Sequence, residues 1–213
     1  MTDFARARTH MIDSQLRTSG ITNKPILARM GVVPREKFVP ESRQPTAYTD
    51  SVQWLGPKGQ SRFIAPPAIF AKLLQLAEIS NEDSVLDIGA GTGYSTFVIA
   101  GLSAAVAGFE PDQQLAETAR ANLAAMGATN ASIVPQIGKN LYDLVFVEGM
   151  LIDVPDIYLS ALKDGGRLVA PVWSAGVSVA KVFVKSGKSV SSRTEFNATL
   201  PPLLAAPAAE FVF

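Results

Sequence analysis

The chain of 213 residues contains no cysteine and a single histidine, and its 19 basic and 19 acidic side chains cancel to zero formal charge. Without cysteine there can be no disulfide framework, no thiolate zinc site and no cysteine nucleophile. A lone His10 excludes histidine-rich metal sites, so no metal is expected. It falls on a predicted helix as a surface or capping residue, and no nucleophile elbow exists to partner it, which removes Ser-His-Asp chemistry. Neutral charge, with a pI near 6.6, argues against a nucleic-acid partner held by a broad positive field. Long apolar runs are also missing. The stretch from Thr96 to Phe109 falls short of the roughly 20 residues a membrane span needs, and Gly101, Ser103 and Gly108 interrupt it. The charged N-terminus has no apolar stretch behind it, so a cytoplasmic protein is the expectation. Composition sets no oligomeric state.

What remains is a folded globular chain. Hydrophobic residues make up 47% of it and the mean hydropathy is +0.20, enough apolar surface for a sizeable core. At roughly 150 residues per domain the length predicts one domain. Residues 1–80 read as a helical and loop cap belonging to it, and residues 81–213 as its core. In the cap, Phe4 to Thr18 carries helical apolar spacing and ends at Gly20, and a second helix spans about Asn23 to Met30, stopping at Gly31. Arg6, Arg8 and Arg17 read as a solvated face of the first helix. Val32 to Arg62 shows four prolines and no period, the signature of an ordered loop, and loops of that length tend to be functional. Pro66 and Pro67 open a third helix with Ile69, Phe70, Leu73, Leu74 and Ala77 on its apolar face.

From Asn81 strands and helices alternate. Apolar strands are expected at Ser84–Ile88, Ala105–Phe109, Ser132–Val134, Tyr142–Val147 and Gly166–Val172, with a more exposed antiparallel strand at Val177–Lys185 and a strand-like EFVF tail. Helices fall between them: to about Leu102, over the stretch closed by Gly127, and near Val154–Leu162. This pattern predicts an α/β, Rossmann-like, doubly wound, mostly parallel sheet with helices on both faces and an N-terminal helical extension.

The most informative segment is VLDIGAGTGY, Val85 to Tyr94. Gly89, Gly91 and Gly93, with Ala90 between the first two, follow a strand and open a helix, where an α/β sheet lets a nucleotide approach the backbone. Glu110 lies at the end of the next strand, placed to accept hydrogen bonds from ribose hydroxyls. Two details speak against a dinucleotide. The spacing is G-x-G-x-G, and Tyr94 stands where the dinucleotide pattern wants a small residue. Asp87, two residues before the loop, would repel a pyrophosphate by several kcal/mol on an order-of-magnitude Coulomb estimate. A cofactor with a cationic end suits that carboxylate, and S-adenosyl-L-methionine carries a sulfonium, an ammonium and a ribose. The alternative role for Asp87 is to cap the loop amides. Glu148, after the strand at Tyr142–Val147, either meets a substrate or cofactor amino group or caps the following turn. Tyr48 and Trp54 either line a substrate groove or pack as loop aromatics.

Beyond the loop, MIDSQLRTSGI (Met11 to Ile21), VPREKFVP (Val33 to Pro40), Ala47-Tyr48, Gly59-Gln60 and the Pro67 helix resemble the protein-L-isoaspartate O-methyltransferase family over nearly the whole chain. YDLVFVEG and LKDGGRLVAPV are similar to its later strands. The resemblance implies S-adenosylmethionine as cofactor, held by Asp87, Gly89, Ala90, Gly91, Gly93, Tyr94 and Glu110. It also implies an isoaspartyl protein or peptide as substrate, with Tyr48, Gln60 and Glu148 towards it and the Gln60–Pro67 segment closing over the reaction centre. Two departures stand out. The family's T-I-S-x-P hydroxyl falls on Ala65, or on Ser61 if the alignment is anchored at Gly59-Gln60, which leaves Ser61 as the candidate catalytic hydroxyl. The family's adenine-holding G-D-G stretch is here a shortened segment with Gln136 and Gly138 and no acid. They point to a catalytically weak or inactive cofactor-binding relative, or to another substrate, as the alternatives.

Overall fold

The computed structural model describes residues 3–56 and 62–203, so the EFVF tail, Gln60 and Ser61 lie outside the described residues. The core is a seven-stranded sheet in the order β5-β4-β3-β6-β7-β8-β9. Its strands are β3 Ser84–Ile88, β4 Ala105–Phe109, β5 Ala131–Val134, β6 Tyr142–Val147, β7 Leu162–Ser174, β8 Val177–Ser186 and β9 Ser189–Asn197. Strands β3 to β7 pair in parallel, and β8 and β9 close one edge antiparallel. This is the Rossmann-like arrangement expected. Parallel strands are buried on both faces, and alternate residues of one strand serve two cores. In β6, Leu144 and Phe146 join the core beneath the N-terminal segments, whereas Val145 and Val147 join the core of the opposite face with Leu168 and Tyr158.

Helices α1 Phe4–Met11, α2 Lys24–Val32 and α3 Pro67–Ala77 precede the sheet, and α4 Tyr94–Ala100, α5 Gln113–Ala125 and the short α6 Asp156–Ser160 link its strands. Local chemistry accounts for their ends. Asp3, Asn23 and Asp112 each accept a backbone N–H in the first turn of α1, α2 and α5, the standard N-cap interaction. After α1 the chain continues through a π turn and a 3-10 turn to Gly20, which is left-handed and stops it.

Several expectations need correction. Helix α2 runs through Gly31 to Val32. A Cβ at Gly31 would lie 3.8 Å from Ile12 Cγ1, an ordinary contact, so the helix passes through this glycine and does not end there. The stretch between Val32 and Arg62 is more regular than its composition suggests. Two 3-10 turns, Arg35–Phe38 and Glu41–Thr46, precede β1 Gln53–Trp54, which pairs antiparallel with β2 Phe63–Ile64. Segments this short carry no legible period. Strand β9 was not expected at all. It is exposed at nearly every residue, so a serine-rich sequence polar on both faces satisfies it as an edge strand.

Strands β3, β4 and β6 end at the same edge, and β3 lies between the other two. That is the switch point, where the crevice of an open α/β sheet lies. The aromatic rings of Phe38, Tyr94, Phe70 and Phe146 contact one another in series at centroid distances of 5.5–6.0 Å and tie the N-terminal segment to this edge.

Gly108 in β4 shows how tightly the edge is packed. A methyl there would lie 2.7 Å from Thr96 Oγ1 and 2.8 Å from Ile133 Cδ1. Gly108→Ala is expected to lower the unfolding free energy by about 1–3 kcal/mol, seen as a lower urea midpoint with unchanged m-value.

Candidate functional site

The loop from Gly89 to Gly93 joins β3 to α4, and all three of its glycines adopt positive φ, +85° at Gly89, +54° at Gly91 and +89° at Gly93. Only glycine enters that region without strain, so the spacing is a backbone requirement. The amides of Gly89 and Ala90 donate to the Phe109 carbonyl at 2.9 and 3.2 Å, which ties the loop to the end of β4. The loop is walled by apolar side chains from distant segments. A Cβ on Gly91 would meet Leu55 Cδ1 at 2.8 Å, and one on Gly89 would run into Leu203. Leu203 is held there by its amide donating to the Met150 carbonyl at 2.9 Å, while the Met150 amide donates to Pro201 at 3.0 Å.

Three carboxylates surround the loop. Asp87, at the end of β3, is wholly buried. Its Oδ2 accepts from Ser95 Oγ at 2.7 Å and Thr96 Oγ1 at 2.6 Å, so it caps helix hydroxyls and not loop amides. Its Oδ1 has no partner among the described residues. Burial pushes its carboxyl up to about 6, against the two hydroxyl donors and with the charge of Glu110 adding to the rise. Glu148 follows β6, is 4% exposed, and its amide donates to the Ile88 carbonyl at 3.0 Å. Its Oε1 likewise has no partner. Burial and the Asp87 charge raise its carboxyl well above the ordinary range, partly offset by Arg35.

Glu110 is the acid that caps the loop. Its Oε2 accepts the Gly91 amide at 2.9 Å and its Oε1 the Asp112 amide at 3.0 Å. Arg62 Nε adds a bond of 3.1 Å to each oxygen. A carboxylate offers about four lone-pair sites, so ribose hydroxyls reaching Glu110 must share it with, or displace, Arg62.

The remaining expected site residues are placed as follows. Tyr94 opens α4 with its ring between Phe38 and Phe70 and its buried hydroxyl without a partner. The Tyr48 hydroxyl donates to Glu36 and accepts from Arg8 Nε at 2.8 Å and the Arg35 amide at 3.2 Å. Its bonding capacity is thus used inside the cap, and Arg8, expected on a solvated face, is part of that network. Trp54 packs edge-on against Phe63. Ala65 is buried at 1% exposure and its carbonyl accepts from Arg35 at 2.7 Å. Gln136 is exposed. His10 is exposed, its ring nitrogen 2.7 Å from the Ser14 hydroxyl. Among the described residues no cluster of metal-ligating side chains occurs, and no helix is long and apolar enough to cross a membrane.

Sequence reasoning missed Arg35, Arg62 and Leu203. Arg35 carries the only signal that was available, its place in the VPREKFVP word. The other two reach the site only through long-range folding.

These positions fit S-adenosylmethionine. Two buried carboxylate oxygens without partners suit its cationic groups, and the glycine loop admits its close approach to the backbone. Asp87 also carries a pH consequence. The unfolded chain releases this proton near the ordinary 3.8, whereas the folded chain holds it to about 6. Its favourable contribution is therefore complete below the lower value and lost as pH rises through the upper one. In cofactor-free protein, Asp87→Asn is expected to raise stability at about pH 8 by roughly 1–3 kcal/mol and to converge with the parent below about pH 4. Urea unfolding across that range checks it, and parallel pH profiles for the two proteins would contradict it.

Known proteins resemble this chain over most of its length. The family model described as protein-L-isoaspartate(D-aspartate) O-methyltransferase matches residues 6–204. A protein-L-isoaspartate O-methyltransferase of Koribacter versatilis is 37% identical over 180 residues, covering 82% of this chain and 80% of that one. A solved protein-L-isoaspartate O-methyltransferase superposes with a TM-score of 0.78 at 23% identity, over 92% of this chain and 65% of that longer one. The enzyme of that description from Plasmodium falciparum, in complex with S-adenosyl-L-homocysteine, superposes with a TM-score of 0.77 at 18% identity over 97% of this chain and all of its own. The match of the family model over residues 6–204 and the 37% identity to a curated relative over 82% of the chain show that the chain belongs to the protein-L-isoaspartate O-methyltransferase family of S-adenosylmethionine-dependent methyltransferases.

Proposed function

We propose that this protein methylates the isoaspartyl carboxylate of damaged proteins or peptides. The observation that carries the reading is the trio Asp87, Glu110 and Glu148 around a positive-φ glycine loop at the switch point of the sheet. When bound, S-adenosylmethionine supplies a methyl group made electrophilic by its cationic sulfur. Glu110 and the loop glycines hold its nucleoside, and Asp87 and Tyr94 line the approach to its charged end. A cytoplasmic place of action belongs to the same proposal.

The chain supplies little acid–base chemistry here, and the reaction needs little. An isoaspartyl carboxyl has an ordinary pKa near 4, so it meets the site already ionised and requires no general base. What the protein contributes is orientation and exclusion of water. Leu55, Leu203 and Phe63 are the apolar surfaces nearest the loop and the Gly149 backbone, and they keep that region dry. Tyr48 supports the segment that carries Arg35, through the hydrogen bond to its amide. Gln60 and Ser61 remain the proposed substrate-side and hydroxyl candidates on the sequence argument alone.

A weaker enzyme is the second reading, and Ala65 is the observation that favours it. The position is buried beside the Arg35 guanidinium and offers no side-chain donor. One lost oriented donor costs about 1–3 kcal/mol, which slows a reaction without forbidding it.

Incubation with labelled S-adenosylmethionine is expected to label an isoaspartyl peptide and leave its aspartyl twin unlabelled. Equal labelling of the pair, or none, would remove the isoaspartyl assignment. Ala65→Ser is expected to raise kcat/KM by roughly 5- to 200-fold; an unchanged value would mean that this hydroxyl has no part in the reaction of this chain.

A further inference from the structure

Four buried polar atoms with no partner among the described residues belong to one neighbourhood: Arg35 Nη1, Tyr94 Oη, Asp87 Oδ1 and Glu148 Oε1. The Arg35 guanidinium lies 4.7 Å from the centroid of the Tyr94 ring. Glu148 feels the charges of both Asp87 and Arg35, and Tyr94 those of Arg35 and Glu148. A buried cation and a buried anion thus share the surroundings of Tyr94, and they are not among the ion pairs of the described residues.

Each is anchored by other parts of the chain. Arg35 is wholly buried and anchored at two of its three nitrogens, Nε donating to the Ala47 carbonyl and Nη2 to the Ala65 carbonyl, each at 2.7 Å. Glu148 is fixed by its backbone bond to Ile88 at the end of the neighbouring strand, with its Cβ beside Gly89. Buried charges left unpaired cost free energy, and folded proteins keep them where a ligand completes the set.

We propose that Glu148 and Arg35 form a receptor for a zwitterionic amino-acid group, the methionine end of S-adenosylmethionine, with its ammonium on Glu148 and its carboxylate on Arg35. The inference rests on the cofactor reading above and adds residues to it. Tyr94 Oη is a second donor for the carboxylate, and Asp87 Oδ1 a second acceptor for the ammonium. A lone anion would face two carboxylates here and a lone cation would face the guanidinium; a zwitterion satisfies both ends. The charges also match: Asp87, Glu148 and Arg35 sum to one negative charge when ionised, and the cofactor carries one net positive charge on its sulfonium.

The test compares two thioethers by calorimetric titration of the full-length protein: S-adenosyl-L-homocysteine, and 5′-deoxy-5′-methylthioadenosine, which has the nucleoside but no amino-acid end. The parent protein is expected to bind the first at least 10-fold more tightly. Glu148→Gln is expected to weaken S-adenosylhomocysteine by about 10- to 100-fold and the truncated thioether by less than about 3-fold. Arg35 holds the cap through two carbonyls, so Tyr94→Phe replaces it as the second variant. Removing only the hydroxyl is expected to weaken S-adenosylhomocysteine by about 3- to 10-fold with the truncated thioether unchanged. Equal losses for the two ligands in either variant, or equal parent affinities, would overturn the receptor. Binding of neither ligand by the parent would remove the cofactor reading and the receptor with it.

Discussion

The burial of Asp87 is the constraint on which the rest of the site depends. A carboxylate at 0% exposure is costly unless paired or hydrogen-bonded, and the chain meets only half of its needs, through Ser95 and Thr96 on one oxygen. Those hydroxyls stand in the first turn of α4, so the acid joins the end of β3 to the helix that follows the glycine loop. Gly108 in β4 is a consequence, because Thr96 Oγ1 occupies the space that a side chain there would need. The uncompensated oxygen is what makes this edge of the sheet receptive to a cation.

Around that constraint the site divides the labour among its acids. Glu110 accepts from two amides and Arg62, so it shapes the loop and meets a ribose only by sharing or displacing Arg62. Glu148 and Asp87 retain oxygens without partners, and the Asp87 charge adds to the rise in the proton affinity of Glu148. The N-terminal segment brings the balancing cation. Arg35 arrives on a 3-10 turn whose own fixation runs through Tyr48, Glu36 and Arg8, so residues that touch no loop atom still determine where the guanidinium stands. This separation suits a family whose chemistry asks the protein to position charges and leaves the nucleophile to the substrate.

Much of the fold could be read from the chain because its signals are local. The strands at Ser84–Ile88, Ala105–Phe109 and Tyr142–Val147 were expected with the bounds the structure has, since continuous apolar runs bounded by turn residues mean buried parallel strands. The glycine loop was legible for the same reason: three glycines between a strand and a helix answer to positive φ values that neighbouring residues impose. Strand β9 was not legible, because an exposed edge strand has no apolar face to alternate. The β1–β2 pairing escaped as well, being only two residues on each side.

By itself, then, the sequence determined the class of fold, the loop and the identity of the acids at the strand ends, and it carried the family's words. All of these are written in spacing along the chain. Only the tertiary structure decided what each acid faces. Arg62 reaching Glu110 from 48 residues away, Leu203 lying against Gly89, and Arg35 set over the Tyr94 ring all come from segments distant in sequence that burial brings together. Tyr48 shows the same limit from the other side, since its place in a loop left two roles open and three hydrogen bonds within the cap fill its capacity. Local backbone preference is encoded residue by residue, but the partner of a buried charge is chosen by the packing of the whole chain.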